Sequence, residues 1–317
     1  MQKDESIIKQ ILGSRIKVEK LYLLKHSGGS SIKIFTLKDD STKYLLKSYT
    51  EQKYTDKETK NLDNINSIET FNKPQYFGKY KNFFIQEYIN GILFQKLVDK
   101  LPSDQLRSYY LGAIKNLATI HFSKNHLKDR RLLCRLFEKK SLEKRLNIAI
   151  AIIQEIGIPS YLRVTDKSNS KWNKFLKKVN ISALVNDLSV QGNNYILGHG
   201  DYKPNNIIFT RDKKIFTIDW QGMSKAQPWY DLAYLLVHLN KTDKFAYLEY
   251  YLHTIKEKGN LLNVSMEKAK NLFRSGIIFQ QIVRAKSNGH RIKSKKDKHH
   301  ISEFEEALNG LVQIIEN

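Results

Sequence analysis

Over roughly the first quarter of the chain, apolar and polar positions change places almost residue by residue. SSIKIFTLK and KYLLKSY, separated by a turn at Asp39-Asp40-Ser41, read as neighbouring strands, and YFGKYKNFFIQEYI, broken near Lys81-Asn82, reads as two more. Between these runs, TDKETKNLDNINSI carries Leu62 and Ile65 at helical spacing. The pattern over about 15–90 therefore predicts a small sheet carrying one helix.

Past Asn90-Gly91 the period lengthens to that of amphipathic helices, over about 103–121, 125–156 and 170–188. NIIFT and KIFTID, joined by Arg211-Asp212-Lys213, then predict a short hairpin, and three further helical stretches begin near Pro228, Ser265 and Ser302. No internal repeat and no long low-complexity linker interrupts the series. The expectation is an α+β chain of two unequal lobes: 1–91, a sheet with one helix, and 92–317, a mostly helical part, with a cleft between them.

Composition adds two constraints. Apolar residues make up 41% of the 317, with 17 tyrosines, which is too rich for a disordered chain. Fifty-four basic against 32 acidic side chains give a formal charge of +22, which predicts attraction to something anionic without choosing between a nucleotide, a phosphorylated small molecule, nucleic acid and an acidic membrane face. Cys134 is the only cysteine, so an intramolecular disulfide and a multi-cysteine metal site are excluded. MQKDESIIKQILGS lacks the apolar core of a signal peptide, and runs such as IAIAII fall far short of the roughly 20 residues of a membrane helix. A cytoplasmic protein is expected.

The stretch ILGHGDYKPNNIIF is where chemistry gathers. Asp201 lies on a loop before a strand, Asn206 follows five residues later, and Asp219 ends the next strand in IDW. A carboxylate at Asp201 is suited to orient a hydroxyl and take its proton. Asn206 and Asp219 supply the hard oxygens that magnesium prefers.

HGDYKPNNIIF, followed by FTIDW and then PWYDLAYLL, resembles the aminoglycoside phosphotransferase and choline kinase superfamily, which has a protein-kinase-like fold. The resemblance implies a bilobal kinase that moves the γ-phosphoryl group of ATP to a small-molecule hydroxyl with the help of Mg2+. It implies Asp201 as catalytic base, Asn206 and Asp219 as metal ligands, and His199 and Asp231 as residues that hold the loop in shape. It places Lys47 on the nucleotide phosphates, oriented by Glu58, although Thr55-x-x-Glu58 also reads as a capping box at a helix start. Ser27, Gly28, Gly29 and Ser30 form a loop whose backbone could approach phosphate, and QEYING resembles the hinge, with the Glu87 and Ile89 backbones facing adenine. Two departures touch the metal region: Trp220-Gln221 and Ala226-Gln227-Pro228 stand where many relatives have Trp-Glu and Gly-Asp-Pro.

Only 12 positions separate Asp219 from Asp231, which leaves no room for a peptide-docking activation segment. The expected acceptor is a sugar, amino alcohol or related neutral or anionic metabolite. A polycationic aminoglycoside would want carboxylates where this chain concentrates cations, at 124–145 and 284–300. Those stretches are either solvated faces or contacts to an anionic membrane or nucleic acid. His290, His299 and His300 have no partners at metal-ligand spacing. The rival readings are an ATP-binding regulatory module that has lost catalysis and an aminoglycoside-modifying enzyme.

Overall fold

The structure, a computed structural model, describes residues 2–27, 29–38, 40–123, 127, 129, 137–156, 173–190, 195–239, 241–259, 262, 264–295 and 298–316. In chain order the strands are β1 (Val18–Ser27), β2 (Ser30–Leu37), β3 (Asp40–Tyr49), β4 (Tyr76–Tyr80), β5 (Phe83–Glu87), β6 (Gly91–Leu93), β7 (Ile196–Gly198), β8 (Ile207–Thr210), β9 (Ile215–Thr217) and β10 (Ser224–Ala226). The helices are α1 (Gln2–Leu12), α2 (Gln52–Ile65), α3 (Phe94–Val98), α4 (Ser103–Phe122), α5 (Lys139–Ile156), α6 (Ile181–Leu188), α7 (Pro228–Leu236), α8 (Lys241–Glu257), α9 (Met266–Lys295) and α10 (Lys298–Glu316). The fold is mixed α+β, with an antiparallel sheet in the N-terminal region and helices dominating the C-terminal part. Two compact units form: Met1–Cys134 with His199–Met223, and Arg135–Gly198 with Ser224–Asn317.

In the first unit five antiparallel strands run in the order β1-β2-β3-β5-β4. Successive side chains of a strand point to opposite faces, so β3 and β5 present two distinct surfaces. Tyr44 and Leu46 of β3 and Ile85 of β5 point to one, where Ile7 and Ile8 of α1 complete a core around Phe35. Lys47 and Phe84, paired in register, point to the other, where α2 lies. A three-stranded sheet, β6-β8-β9, belongs to the same unit. In the second unit α9 packs along α10, α7 and α5. Gly276 allows the first of these helices within a side-chain's breadth of the α7 backbone, since a Cβ there would sit 2.6 Å from Trp229 O.

Several elements differ from the sequence expectation. The N-terminal segment is a helix, because Ile7, Ile8, Ile11 and Leu12 recur at helical spacing and pack on the sheet. The stretch 170–188 does not run through: Asn180 takes an extended conformation and caps α6 with its side chain, which accepts from Ala183 N at 2.9 Å. The last helix begins at Lys298, four residues ahead of Ser302. The turn residue Asp39, Gly28, and most of 124–136, including Cys134, lie outside the described residues, as does part of 284–300. Among the described residues no helix is long and apolar enough to cross a membrane.

Candidate active site

Lys47 is anchored from three sides. Its Nζ lies 2.8 and 3.0 Å from the two Glu58 oxygens and 3.1 Å from Asp219 Oδ1, with the Tyr49 ring 5.1 Å away. Burial alone would pull the ammonium down, but the charges of Glu58 and then Asp219 hold it well above the ordinary lysine range. Tyr49 donates to Glu58 Oε2 at 2.5 Å, and burial together with the Glu58 charge keeps that phenol protonated. Glu58 itself is completely buried. The capping-box alternative is corrected: α2 starts at Gln52 after Glu51, so Thr55 and Glu58 lie inside the helix, and Thr55 Oγ1 donates to Asn82 O at 3.0 Å instead.

Asp219 follows β9 in a left-handed conformation, φ 64° and ψ 60°, which Asp tolerates better than most residues. The 3₁₀ turn Trp220–Gly222 that follows is fixed by a fully buried Trp220. Its indole donates to Thr217 O at 2.9 Å, and its carbonyl accepts from Asn61 Nδ2 of α2 at 2.8 Å. The helix that carries Glu58 is thus tied to the turn that carries Asp219.

Asp201 sits on the loop between β7 and the 3₁₀ turn Pro204–Asn206. Asn206 Nδ2 donates both to Asp201 O at 2.9 Å and to Asp201 Oδ2 at 2.8 Å, and Lys203 Nζ meets the same Oδ2 at 2.9 Å. His199 is buried and engaged at both ring nitrogens: Nδ1 accepts from Asp201 N at 3.3 Å and Nε2 faces Ile218 O at 3.0 Å. That pairing assigns the ring proton to Nε2 and makes His199 a clamp between the two loops. Tyr202, also buried, donates to Ala113 O of α4 at 2.8 Å.

Gly200, at φ 81°, completes the arrangement. A Cβ there would sit 2.0 Å from Gly222 O, so the Asp201 loop and the turn after Asp219 touch backbone to backbone.

A pocket of about 440 Å3 opens beside these groups. Its lining brings Lys47, Asn206 and Asp219 together with Glu87 and Ile89, and includes the apolar Leu24 and Ile32. Ile89 N–H has no acceptor among the described residues, whereas Glu87 N–H and Tyr88 N–H are bound to Gln75 O and Lys43 O. Of the described part of the Ser27 to Ser30 turn, Gly29 and Ser30 are not among the lining residues. Gly28 and the Ser27 side chain lie outside the described residues, and Gly29 O accepts from Thr50 N at 3.1 Å. Asp231 is buried on α7 of the second unit, near Gly198 and Tyr251.

Residues 24–258 match APH, the phosphotransferase enzyme family. The chain belongs to that family. No match to it was found among curated protein sequences. Among solved structures this phosphotransferase is similar to choline kinase LicA from Streptococcus pneumoniae, at TM-score 0.62 and 18% identity, over 98% of this chain and 99% of that one. It is similar to ADP-bound aminoglycoside phosphotransferase APH(2'')-Ib at TM-score 0.61 and 17% identity, over 97% and 98%. Macrolide 2'-phosphotransferase MphH from Brachybacterium faecium gives 0.59 and 11%, over 97% of each chain. The fold is theirs, a kinase-like fold.

Sequence reasoning passed over four contributors: Tyr49, Lys203, Asn61 and Gly222. Of these, Lys203 had a visible signal, a lysine two residues from the acid on which the whole motif turns. The others are brought in only by the fold.

Proposed function

We propose that this protein transfers the γ-phosphoryl group of ATP to a hydroxyl of a small molecule, a sugar, an amino alcohol or a related neutral or anionic metabolite. The observation that carries the reading is a pair of bonded groups, Glu58–Lys47–Asp219 and Asn206–Asp201, whose segments meet where Ile218 N donates to Asn206 O at 3.0 Å, held in one compact unit beside a nucleotide-sized pocket. The solved ADP-bound and AMP-bound relatives support nucleotide use. In this reading 1–91 is the nucleotide-binding lobe and 92–317 carries the catalytic loop and the acceptor pocket.

Each residue has a task set by its geometry. Lys47, kept cationic, steadies the phosphates, and Glu58 and Tyr49 fix where its ammonium sits. Ile89 N–H is the free donor for the base. Asn206 and Lys203 occupy Asp201 Oδ2, which leaves Oδ1 to accept the proton of the acceptor hydroxyl as its oxygen attacks the γ-phosphorus and ADP departs.

Magnesium fits the donors present. Asn206 turns its amide nitrogen to Asp201, so its oxygen is available, and Asp219 keeps one oxygen beyond the one that meets Lys47. Magnesium takes few ligands from protein, one or two oxygen donors beside substrate phosphates and water, so these two oxygens are enough to hold it. When bound there, it would neutralise phosphate charge.

The test is magnesium-dependent ADP release from ATP across amino alcohols, sugars, nucleosides and aminoglycosides. One acceptor class should stimulate release, and Asp201→Asn should lower that turnover by about 10²- to 10⁴-fold while ADP affinity stays within a few-fold. Turnover confined to polycationic aminoglycosides would overturn the acceptor class. ATP binding without stimulation by any acceptor would favour the regulatory-module reading.

A further inference from the structure

We propose a second ligand site in the first unit, on the face of the β6-β8-β9 sheet opposite the nucleotide pocket, that binds an anion with an apolar body. A groove of about 740 Å3 lies there, within the range of small-molecule sites. Its floor and walls include Ile92, Tyr109, Phe209 and Ile215, and Arg211 and Lys213 stand at its edge.

The sheet separates the two cavities by simple alternation. Leu93 and Ile208 line the nucleotide pocket, while their neighbours Ile92 and Phe209 line the groove. Ile92 is 51% exposed and lines the groove together with Tyr109, Phe209 and Ile215, so the apolar surface is open there as a patch and not as a lone side chain. Tyr109 stands edge-on to Phe209, with ring centroids 5.0 Å apart, and its hydroxyl has no partner among the described residues. Together these make an apolar surface with one polar point.

Charge sets the ligand's sign. The hairpin turn at 211–213 carries one acid, and that acid is spoken for: Asp212 accepts from Thr210 Oγ1 and pairs with Lys214 at 2.9 Å. Arg211 and Lys213 pair with no carboxylate among the described residues. Lys213 also holds a left-handed backbone, φ 61°, at a turn position that glycine or asparagine fills without strain. Turn geometry alone does not call for a lysine there, whereas a cation at the groove's edge does account for it. An anionic head between these two side chains and an apolar body over Phe209 and Ile92 satisfies both halves of the site.

Octyl phosphate is the probe, titrated into the full chain by calorimetry at low salt. Saturable one-site binding is expected, tighter than that of inorganic phosphate or 1-octanol. Arg211→Ala with Lys213→Ala should weaken it by about tenfold or more, through loss of two charge-assisted contacts, and Ile92→Asp should remove it. Lys47→Met should leave it unchanged, which keeps this result independent of the kinase reading. Arg211, Lys213 and Ile92 are exposed and Lys47 is distant from the groove, and a retained cooperative unfolding transition confirms that each variant folds, at a lower midpoint for Lys47→Met because Glu58 loses its partner. The proposal is overturned if the native chain shows no saturable binding, if 1-octanol binds as well, or if only Lys47→Met abolishes binding. Binding of an acidic apolar peptide but not of octyl phosphate would overturn it equally.

Discussion

Gly200 has less freedom than any other residue of the site. Its φ of 81° already disfavours a side chain, and a Cβ would be driven to 2.0 Å from Gly222 O, a backbone atom that cannot swing aside. Gly200→Ala should therefore lower stability by about 2 to 4 kcal/mol or displace the loop, and in either case turnover should fall. Gly29, whose Cβ would meet nothing within 4 Å, is the control: Gly29→Ala should leave the unfolding midpoint within a degree or two. Thermal unfolding of both variants decides this. At this scale the sequence marked Asp201, Asn206 and Asp219 because each is polar beside the start or end of an apolar strand, and Lys47 because it stands where the family resemblance puts a lysine. Tyr49 was hidden, since a tyrosine in a strand looks like packing until its hydroxyl is found on Glu58. Gly222 was hidden as well, because its need for a small side chain comes from His199 and Gly200, 23 and 22 positions earlier in the chain.

Among the elements, strands with clean alternation were legible and helix limits were not. The break between 170 and 188 shows why. Periodicity continues through Val179-Asn180, but Asn180 satisfies the first turn of α6 from an extended backbone, so a local hydrogen bond ends one helix and begins another. Asn180→Ala should cost about 1 kcal/mol, read as a lower unfolding midpoint, and Asn180→Ser should restore most of it. Helix α1 was missed for a different reason. Its apolar side is only four residues wide, Ile7, Ile8, Ile11 and Leu12, and becomes significant once a sheet face is there to receive it.

For the molecule as a whole, +22 formal charges make lysines the residues whose placement costs most. Lys244 on α8 is the clearest case: burial first, and then the nearby Arg284 charge, pull it down to about 8 from 10.5. Below pH 8 both folded and unfolded chains carry that proton, and the folded chain bears the full penalty. Between pH 8 and 10.5 the folded chain releases the proton and the unfolded chain keeps it, so stability rises with pH. Lys244→Met should raise stability at pH 7 by about 1 to 2 kcal/mol after solvent screening is allowed for, and the gain should fade towards pH 10.5. Chemical unfolding of both chains at pH 7 and pH 10 checks the sign.

Strand β8 carries a consequence for how this protein tolerates change. One residue of it floors the pocket beside Lys47 and the next floors the groove behind. A substitution at either position is felt in one cavity. Inserting or deleting a single residue exchanges the two surfaces, so both are lost in one step. Length in β8 is thus guarded more tightly than composition, and variation should enter there as replacement rather than as an indel.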